Sequence, residues 1–260
     1  MKKTILCAFF AGMAVLTASA LQVSHSPAER KVAPTAVTVG LVKELTLKDA
    51  MTSDLWKKVP KYNFMRYVTE LSHISQAPKE GAAVRYLCTD TTFFVRVDMV
   101  DSDVMTAAAT NQDHHYTQGD VLEVFVKPAK DSYYWEIYGV PNKLSTRFYF
   151  PSKGTLGMPS GFGPTDVKIA VDAKVDGTFN NHDDRDKGWT VVIAIPRKEL
   201  EKNGYKFAPS SQWTVLAARY NYTVHLPIHE LSSYPQIPAS YHATEYYANI
   251  EFVNINLEEN

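Results

Sequence analysis

The strongest constraint on this chain is a succession of short β-forming segments, each stopped by a turn residue. Thr92-Phe93-Phe94-Val95-Arg96-Val97-Asp98 is rich in β-branched and aromatic side chains. Val121-Leu122-Glu123-Val124-Phe125-Val126 is closed by Pro128, 147–150 by Pro151, and 188–195 by Pro196. Residues 83–87, 133–138, 167–171, 213–222 and 248–253 read the same way. Strands at this spacing, with Gly and Pro between them, predict an all-β fold: an antiparallel β-sandwich, jelly-roll-like, or a barrel. Helical signals are weak. Residues 48–58 and 101–109 are expected to hold short turns. Residues 197–203 form one short helix stopped by Asn203-Gly204, a combination that caps helix C-termini. No repeat of 20–50 residues is visible, which excludes a solenoid or propeller.

The first twenty residues carry a different pattern. Lys2 and Lys3 precede an apolar stretch from 5 to 16, followed by the small residues Ala18-Ser19-Ala20. This is the layout of a secretory signal peptide over 1–20, cut after Ala20. The apolar run is short for a bilayer span and no second one follows, so no transmembrane segment is expected. Residues 21–40, rich in Ser, Pro, Ala and Thr, read as a flexible leader, and 41–260 as one domain. Removing 1–20 also removes Cys7. Cys88 is then alone, without a partner for a disulfide, and its strand-like setting reads as a buried structural thiol. A secreted or periplasmic location follows from this reading.

Lys and Arg number 27 against 28 Asp and Glu, a formal net charge of −1. Loss of Lys2 and Lys3 takes it to about −3. Such a balance argues against nucleic acid as a partner, which calls for a basic stripe. Signatures of catalysis are missing. There is no Gly-x-Ser-x-Gly elbow, and Gly161-Phe162-Gly163 is too short for a dinucleotide fingerprint. His225 and His229 have Pro227 between them, so a helix presenting both to zinc is not expected. His114 and His115 are adjacent and project to opposite faces of an extended chain. Asn181-His182-Asp183-Asp184-Arg185-Asp186 concentrates oxygen ligands suited to calcium, without EF-hand spacing; a solvated hairpin tip is the simpler reading. No cofactor is otherwise implied. A glycosidase needs two carboxylates across a cleft, and nothing singles out such a pair.

Gly119-Asp120-Val121-Leu122-Glu123-Val124-Phe125-Val126-Lys127-Pro128 resembles the Asp-x-x-Glu-x-Phe strand of family 9 carbohydrate-binding modules and their DOMON-like relatives. Further pieces occur in the family's order: Leu55-Trp56, then 83–87 with Asp90, 93–97 and Asp98. Tyr133-Tyr134-Trp135-Glu136-Ile137 and Gly188-Trp189-Thr190-Val191-Val192-Ile193-Ala194-Ile195-Pro196 follow, and 213–219 and 242–252 close the series. The resemblance covers about 45–253. It implies a non-catalytic sandwich in which two aromatic rings hold a terminal sugar.

By that resemblance the ring positions fall on Tyr116 and Tyr241, where the best-known sugar clamp has Trp. Glu123 matches the strand carboxylate that accepts sugar hydroxyls. Glu136 stands where some family members carry an Arg, a reversal of charge. Arg219 and Tyr234 fall where late loops add contacts. The physics is consistent: sugar C–H faces pack on aromatic rings, and their hydroxyls need converging polar groups. The expected function is a carbohydrate-binding module that recognises glycan ends, with a role in carbohydrate catabolism. The competing readings are a glycan hydrolase, a haem site using Met99, Met105, His114 and His115, and a surface scaffold with a protein partner. The bland alternatives are that Trp56, Trp135, Trp189 and Trp213 pack the core, that Glu123 holds a loop backbone or pairs with Arg85 or Arg219 inside the fold, and that Tyr116 and Tyr241 are ordinary rim tyrosines.

Overall fold

The structure, a computed structural model, describes residues 35–66, 77–153, 163–238 and 240–255. They belong to a compact unit spanning Ala33–Asn260. The expected signal peptide, residues 21–34 of the expected leader, and residues 154–162 of the Gly-rich loop lie outside the described residues. The expected boundary at residue 40 moves. Strand β1, Ala36–Leu41, begins inside the stretch read as leader, because Val37 and Val39 bury one face of an alternating segment in the core.

The described residues are mostly β, with two short α-helices among them, α1 (Leu47–Ala50) and α2 (Arg197–Leu200). The other strands are β2 (Tyr62–Asn63), β3 (Met65–Arg66), β4 (Ala82–Cys88), β5 (Thr92–Val100), β6 (Val121–Pro128), β7 (Tyr134–Gly139) and β8 (Ser145–Phe150). The series continues with β9 (Gly163–Pro164), β10 (Ala170–Asp176), β11 (Gly188–Pro196), β12 (Trp213–Asn221), β13 (Glu230–Tyr234) and β14 (Ala248–Asn254). Each long strand expected from sequence is present within a few residues; the short β2, β3 and β13 had no clear alternation to announce them. Expected strand 167–171 is observed later, at β10, and 101–109 is a loop with one isolated bridge, Thr106 to Gly119.

Two expectations about the sheet need correction. Hydrogen bonding joins the described strands into one network, with β10-β11-β5-β4-β1-β14-β12-β6-β7-β8-β9 as its main path, which is nearer to the barrel alternative than to the two sheets of a sandwich. The pairing is also not wholly antiparallel, since β1 runs parallel to both β4 and β14. β1 is therefore the seam that joins the two halves, a long-range pairing that no local turn encodes. The sheet curls on itself. Gly139 on β7 lies so close to Val191 and Ile193 of β11 that an added Cβ would come within 3.1 Å and 3.2 Å of them. Only a glycine lets the two strands approach this closely without displacing those side chains.

Curling gives the sheet an inner and an outer face. Leu122, Val124 and Val126 of β6, Trp135 and Ile137 of β7, and Trp213, Val215 and Ala217 of β12 point inward. They meet Tyr86, Val95, Val191 and Ile193 from the opposite half in one apolar core. The alternate residues Val121, Glu123, Phe125, Tyr134, Tyr138, Leu216 and Ala218 point outward, under a cover built from the 106–118 loop, Ile237 and the 241–247 segment. Trp135, Trp189 and Trp213 are inner-core residues, and Trp56 packs a third cluster with Val42, Ala50 and Leu87. Cys88 is buried, and burial pushes its thiol up to about 12, so it stays protonated.

Buried carboxylates clasp the loops at one end. Asp120 accepts N–H bonds from Met105 and Tyr222, Asp186 from Val104 and Thr178, and Glu230 from Lys79 and Glu80. Backbone donors satisfy these carboxylates as secondary structure would. Asp103 takes the N–H of Val224 and the ring of His182. The 181–186 loop is thus stitched to the 102–104 turn through its own side chains. No group of three or more metal-ligating side chains comes together among the described residues.

Candidate functional site

Period-two alternation decides which expected site residues can meet. On the outer face, Glu123 lies directly opposite Tyr138 of β7 and Ala218 of β12, while Glu136 lies opposite Phe125. Glu123 and Glu136 are therefore diagonal neighbours on one surface, within reach of each other's side chains. The Tyr138 hydroxyl donates to Glu136. His242, from the covering segment, sets Nε2 4.0 Å from Glu136 Oε2 and pairs Nδ1 with the Tyr134 hydroxyl at 2.9 Å.

Aromatic rings stand around this floor. Tyr116 lies 5.6 Å from Tyr220 and 6.5 Å from Tyr138 between ring centroids, and Tyr220 lies 5.9 Å from Tyr241. Such spacings are favourable aromatic contacts. Tyr116, Tyr220 and His242 are partly exposed, whereas Tyr241 is only 6% exposed. The Tyr241 hydroxyl donates to the Ser232 carbonyl at 3.2 Å, and its own carbonyl accepts from the Tyr247 hydroxyl at 2.7 Å. Tyr116 is placed by its loop. Gly119, at φ 136°, comes so close to Met105 that a Cβ there would sit 2.5 Å from its carbonyl oxygen, and the Tyr116 carbonyl accepts from the Tyr222 hydroxyl at 2.7 Å.

Four of the six expected site residues, Tyr116, Glu123, Glu136 and Tyr241, are thus brought together. Arg219 and Tyr234 are not. Arg219 is fully buried at the end of the inner face. It donates to Asp101 Oδ2 at 2.8 Å, Asn221 Oδ1 at 2.7 Å, and the carbonyls of Glu80 and Val100 at 3.1 and 2.9 Å. Tyr234 packs on Tyr62 at 4.9 Å, against the inner core. A resemblance of strand order does not report which face a residue occupies, and one position's difference in a strand reverses the face. The alternative pairing of Glu123 with Arg85 or Arg219 is also excluded, since Arg85 pairs with Asp98 and Arg219 with Asp101. The haem constellation is scattered: Met99 joins the inner core, while His115 is buried near Tyr138 of the outer face and bonds Thr110 and Thr146.

Tyr138, Tyr220 and His242 join this cluster without having been marked in the sequence. Tyr138 and Tyr220 were legible in principle, since each stands an even number of residues from an outward-facing neighbour on its strand. His242 was not, because only the tertiary fold brings the covering segment over β7.

The electrostatics of the floor are unusual. Burial raises the Glu136 carboxyl to about 7, and raises Glu123 well above its ordinary range, with the neighbouring Glu136 charge adding to it. Burial lowers His242 to about 4. His242 and Glu136 are therefore never both charged to a useful extent, and their contact is a neutral one between about pH 4 and 7. Their effects on stability oppose each other. Glu136 holds its proton in the fold at a pH where the unfolded chain has lost it, so its contribution falls as pH rises from about 4.5 to about 7. His242 refuses a proton that the unfolded chain accepts, so its contribution falls as pH drops from about 6.5 to about 4. Glu136→Gln should accordingly gain stability relative to the wild type as pH rises through the first window, by an amount on the order of 3 kcal/mol. Denaturant melts of both proteins at several pH values test this; parallel curves would contradict it.

No protein-family model and no curated protein sequence matches the chain. Solved structures do. One is a Bacteroides uniformis protein described as a "putative carbohydrate-binding protein", with a TM-score of 0.63 at 12% identity over 85% of this chain and 100% of that one. A family 9 carbohydrate-binding module from Caldicellulosiruptor kristjanssonii, solved with cellotriose, aligns at a TM-score of 0.54 and 12% identity over 87% and 96%. The same organism's family 9 module in complex with glucose aligns at 0.53 and 11% over 87% and 98%. Identities this low speak to architecture alone, and the architecture is clear: the chain has a family 9 carbohydrate-binding-module-like fold.

Proposed function

We propose that this protein binds saccharides without catalysis, at the outer face of β6, β7 and β12. The observation that carries the reading is the partly exposed rim of Tyr116, Tyr220 and His242 around the Glu123, Glu136 and Tyr138 floor. Aromatic faces there offer stacking for the C–H side of a sugar ring, and the rim's His242 offers a hydroxyl partner. Tyr116 and Tyr220 supply the platform. Tyr241, buried and tied by its own hydrogen bonds, buttresses Tyr220, and reaches a ligand only if the covering segment shifts. The fold likeness to modules solved with cellotriose and glucose supports the same ligand class.

A hydrolytic role fits less well. Glycosidases oppose two carboxylates across the bond to be cut. Glu123 and Glu136 lie side by side on one sheet face, both nearly fully buried. The expected setting is extracytoplasmic, with 1–20 as an export signal and carbohydrate catabolism as the context. No helix among the described residues is long and apolar enough to cross a membrane.

A glycan array followed by titration calorimetry tests the site. Tyr116→Ala should weaken binding by ~1–3 kcal/mol, the usual range for truncating a stacking aromatic at a hot spot. Unchanged glycan affinity in a folded Tyr116→Ala/Tyr220→Ala double variant would remove the site assignment.

A further inference from the structure

A second cleft lies away from the aromatic site, on the outer face of β4, β5, β11 and β10. Its volume is about 810 Å³, within the ~300–1,000 Å³ typical of small-molecule sites. Its charged lining is Lys61, Arg85, Arg96, Lys174 and Lys187 against Asp98 and Asp176. A chain of formal net charge −1 thus gathers an excess of cations in one concavity.

The centre of the cleft shows how that excess is built. Arg85 and Arg96 are directly opposite each other on β4 and β5, a placement of like charges that destabilises a sheet unless something compensates. Asp98 lies between them. It takes Arg85 Nη1 at 2.7 Å, and Arg96 through Nη2 at 2.7 Å and Nε at 3.0 Å, with Thr190 Oγ1 also donating at 3.0 Å. One carboxylate therefore serves two guanidiniums and leaves a net positive charge. Both arginine side chains are only about a fifth exposed, at 22% and 18%. Partial burial raises the field at the cleft mouth, because less water screens it. On the same row across the sheet, Asp98 lies opposite Thr190 and Thr190 opposite Lys174. Lys174 and Lys61 are exposed and have no ion-pair partner among the described residues, and Lys187 reaches Asp176 only at 3.8 Å, with both side chains largely exposed.

We propose that this cleft binds the anionic groups of an acidic saccharide chain, such as uronate carboxylates. The inference deepens the saccharide-binding reading and rests on it for the ligand class, while the site itself is separate. Arg96 turns Nε and Nη2 to Asp98 and Nη1 to the Met51 carbonyl at 2.8 Å, so it acts chiefly as a fixed positive charge, while Arg85, which reaches Asp98 through Nη1, supplies planar N–H groups of the kind that suit carboxylate and sulfate oxygens. The lysines around the mouth would meet charges on neighbouring sugar units.

Titration calorimetry of the full protein with oligogalacturonate, a sulfated oligosaccharide and a neutral cello-oligosaccharide provides the test. Oligogalacturonate or the sulfated chain should bind at least tenfold tighter than the neutral chain to the wild type, and the two arms tell carboxylate from sulfate. Raising salt from about 20 to about 200 mM should weaken that binding several-fold. The Lys61→Glu/Lys174→Glu variant changes only exposed side chains, so its fold is expected to persist. It should lose the anionic ligand by tenfold or more while keeping neutral-glycan binding. Tyr116→Ala should do the reverse. The inference fails if anionic chains bind no tighter than the neutral one, if the lysine variant retains them, or if Tyr116→Ala abolishes them. A wild type that binds the anionic chains but no neutral glycan, or a Tyr116→Ala protein that keeps neutral-glycan binding, would instead count against the aromatic site alone.

Discussion

Replacing Arg219 with Met is expected to cost ~3–5 kcal/mol of folding stability, the usual penalty for breaking a buried ion pair from one side. The guanidinium is fully buried and holds Asp101, Asn221 and two backbone carbonyls. Asp101 also takes the Trp189 indole N–H at 3.2 Å and the N–H of Asp103, so its carboxylate joins the inner core to the 101–103 turn. Burial raises the Asp101 carboxyl even with the arginine beside it. Without Arg219 the carboxylate would be stranded, or would take up a proton. Adding Asp101→Asn to Arg219→Met should recover part of the loss, because the uncompensated charge is then gone. Denaturant midpoints of the single and double variants decide the matter. A stable Arg219→Met protein with impaired glycan binding would return Arg219 to the ligand site and refute its structural role.

Trp213→Ala is expected to cost about 3–5 kcal/mol, the range for deleting a large aromatic from a packed core. Trp213 is 1% exposed, lies 6.3 Å from Trp135 and 5.1 Å from Phe207, and donates its indole N–H to the Lys206 carbonyl at 2.8 Å. Truncation would open a cavity and leave that carbonyl without its partner. Neighbouring residues of the inner core come from both halves of the curled sheet, so relaxation would be limited. A melting profile with an unchanged midpoint would contradict this placement.

Most of the strand content was legible because period-two alternation and turn residues are local properties. Val121 to Val126, with Pro128 behind it, could hardly be anything else, and the structure places β6 there. The short strands β2 and β3 were not legible, since two residues carry no periodicity. The parallel seam at β1 was hidden for a different reason. Its partners β4 and β14 lie some fifty and two hundred residues on, and a parallel register is set by packing rather than by a turn. The candidate site divides along the same line. Glu123 and Glu136 were recognisable as carboxylates on strands, but their shared face depends on the register between β6 and β7.

The residues alone determined that this chain would form strands, where most of them run, that Cys88 would be buried, and that tryptophans would anchor the core. They could do so because alternation, turn chemistry and the demand to bury large apolar side chains act over a few residues. Only the tertiary structure decided that one sheet curls upon itself, that Arg219 serves the core, and that Tyr116, Tyr220 and His242 gather around two buried glutamates. It also set Arg85 across from Arg96 with a single carboxylate between them. Those outcomes depend on which strand lies beside which and which face it turns inward. Cross-strand register and burial set both, and neither can be read from one segment of chain.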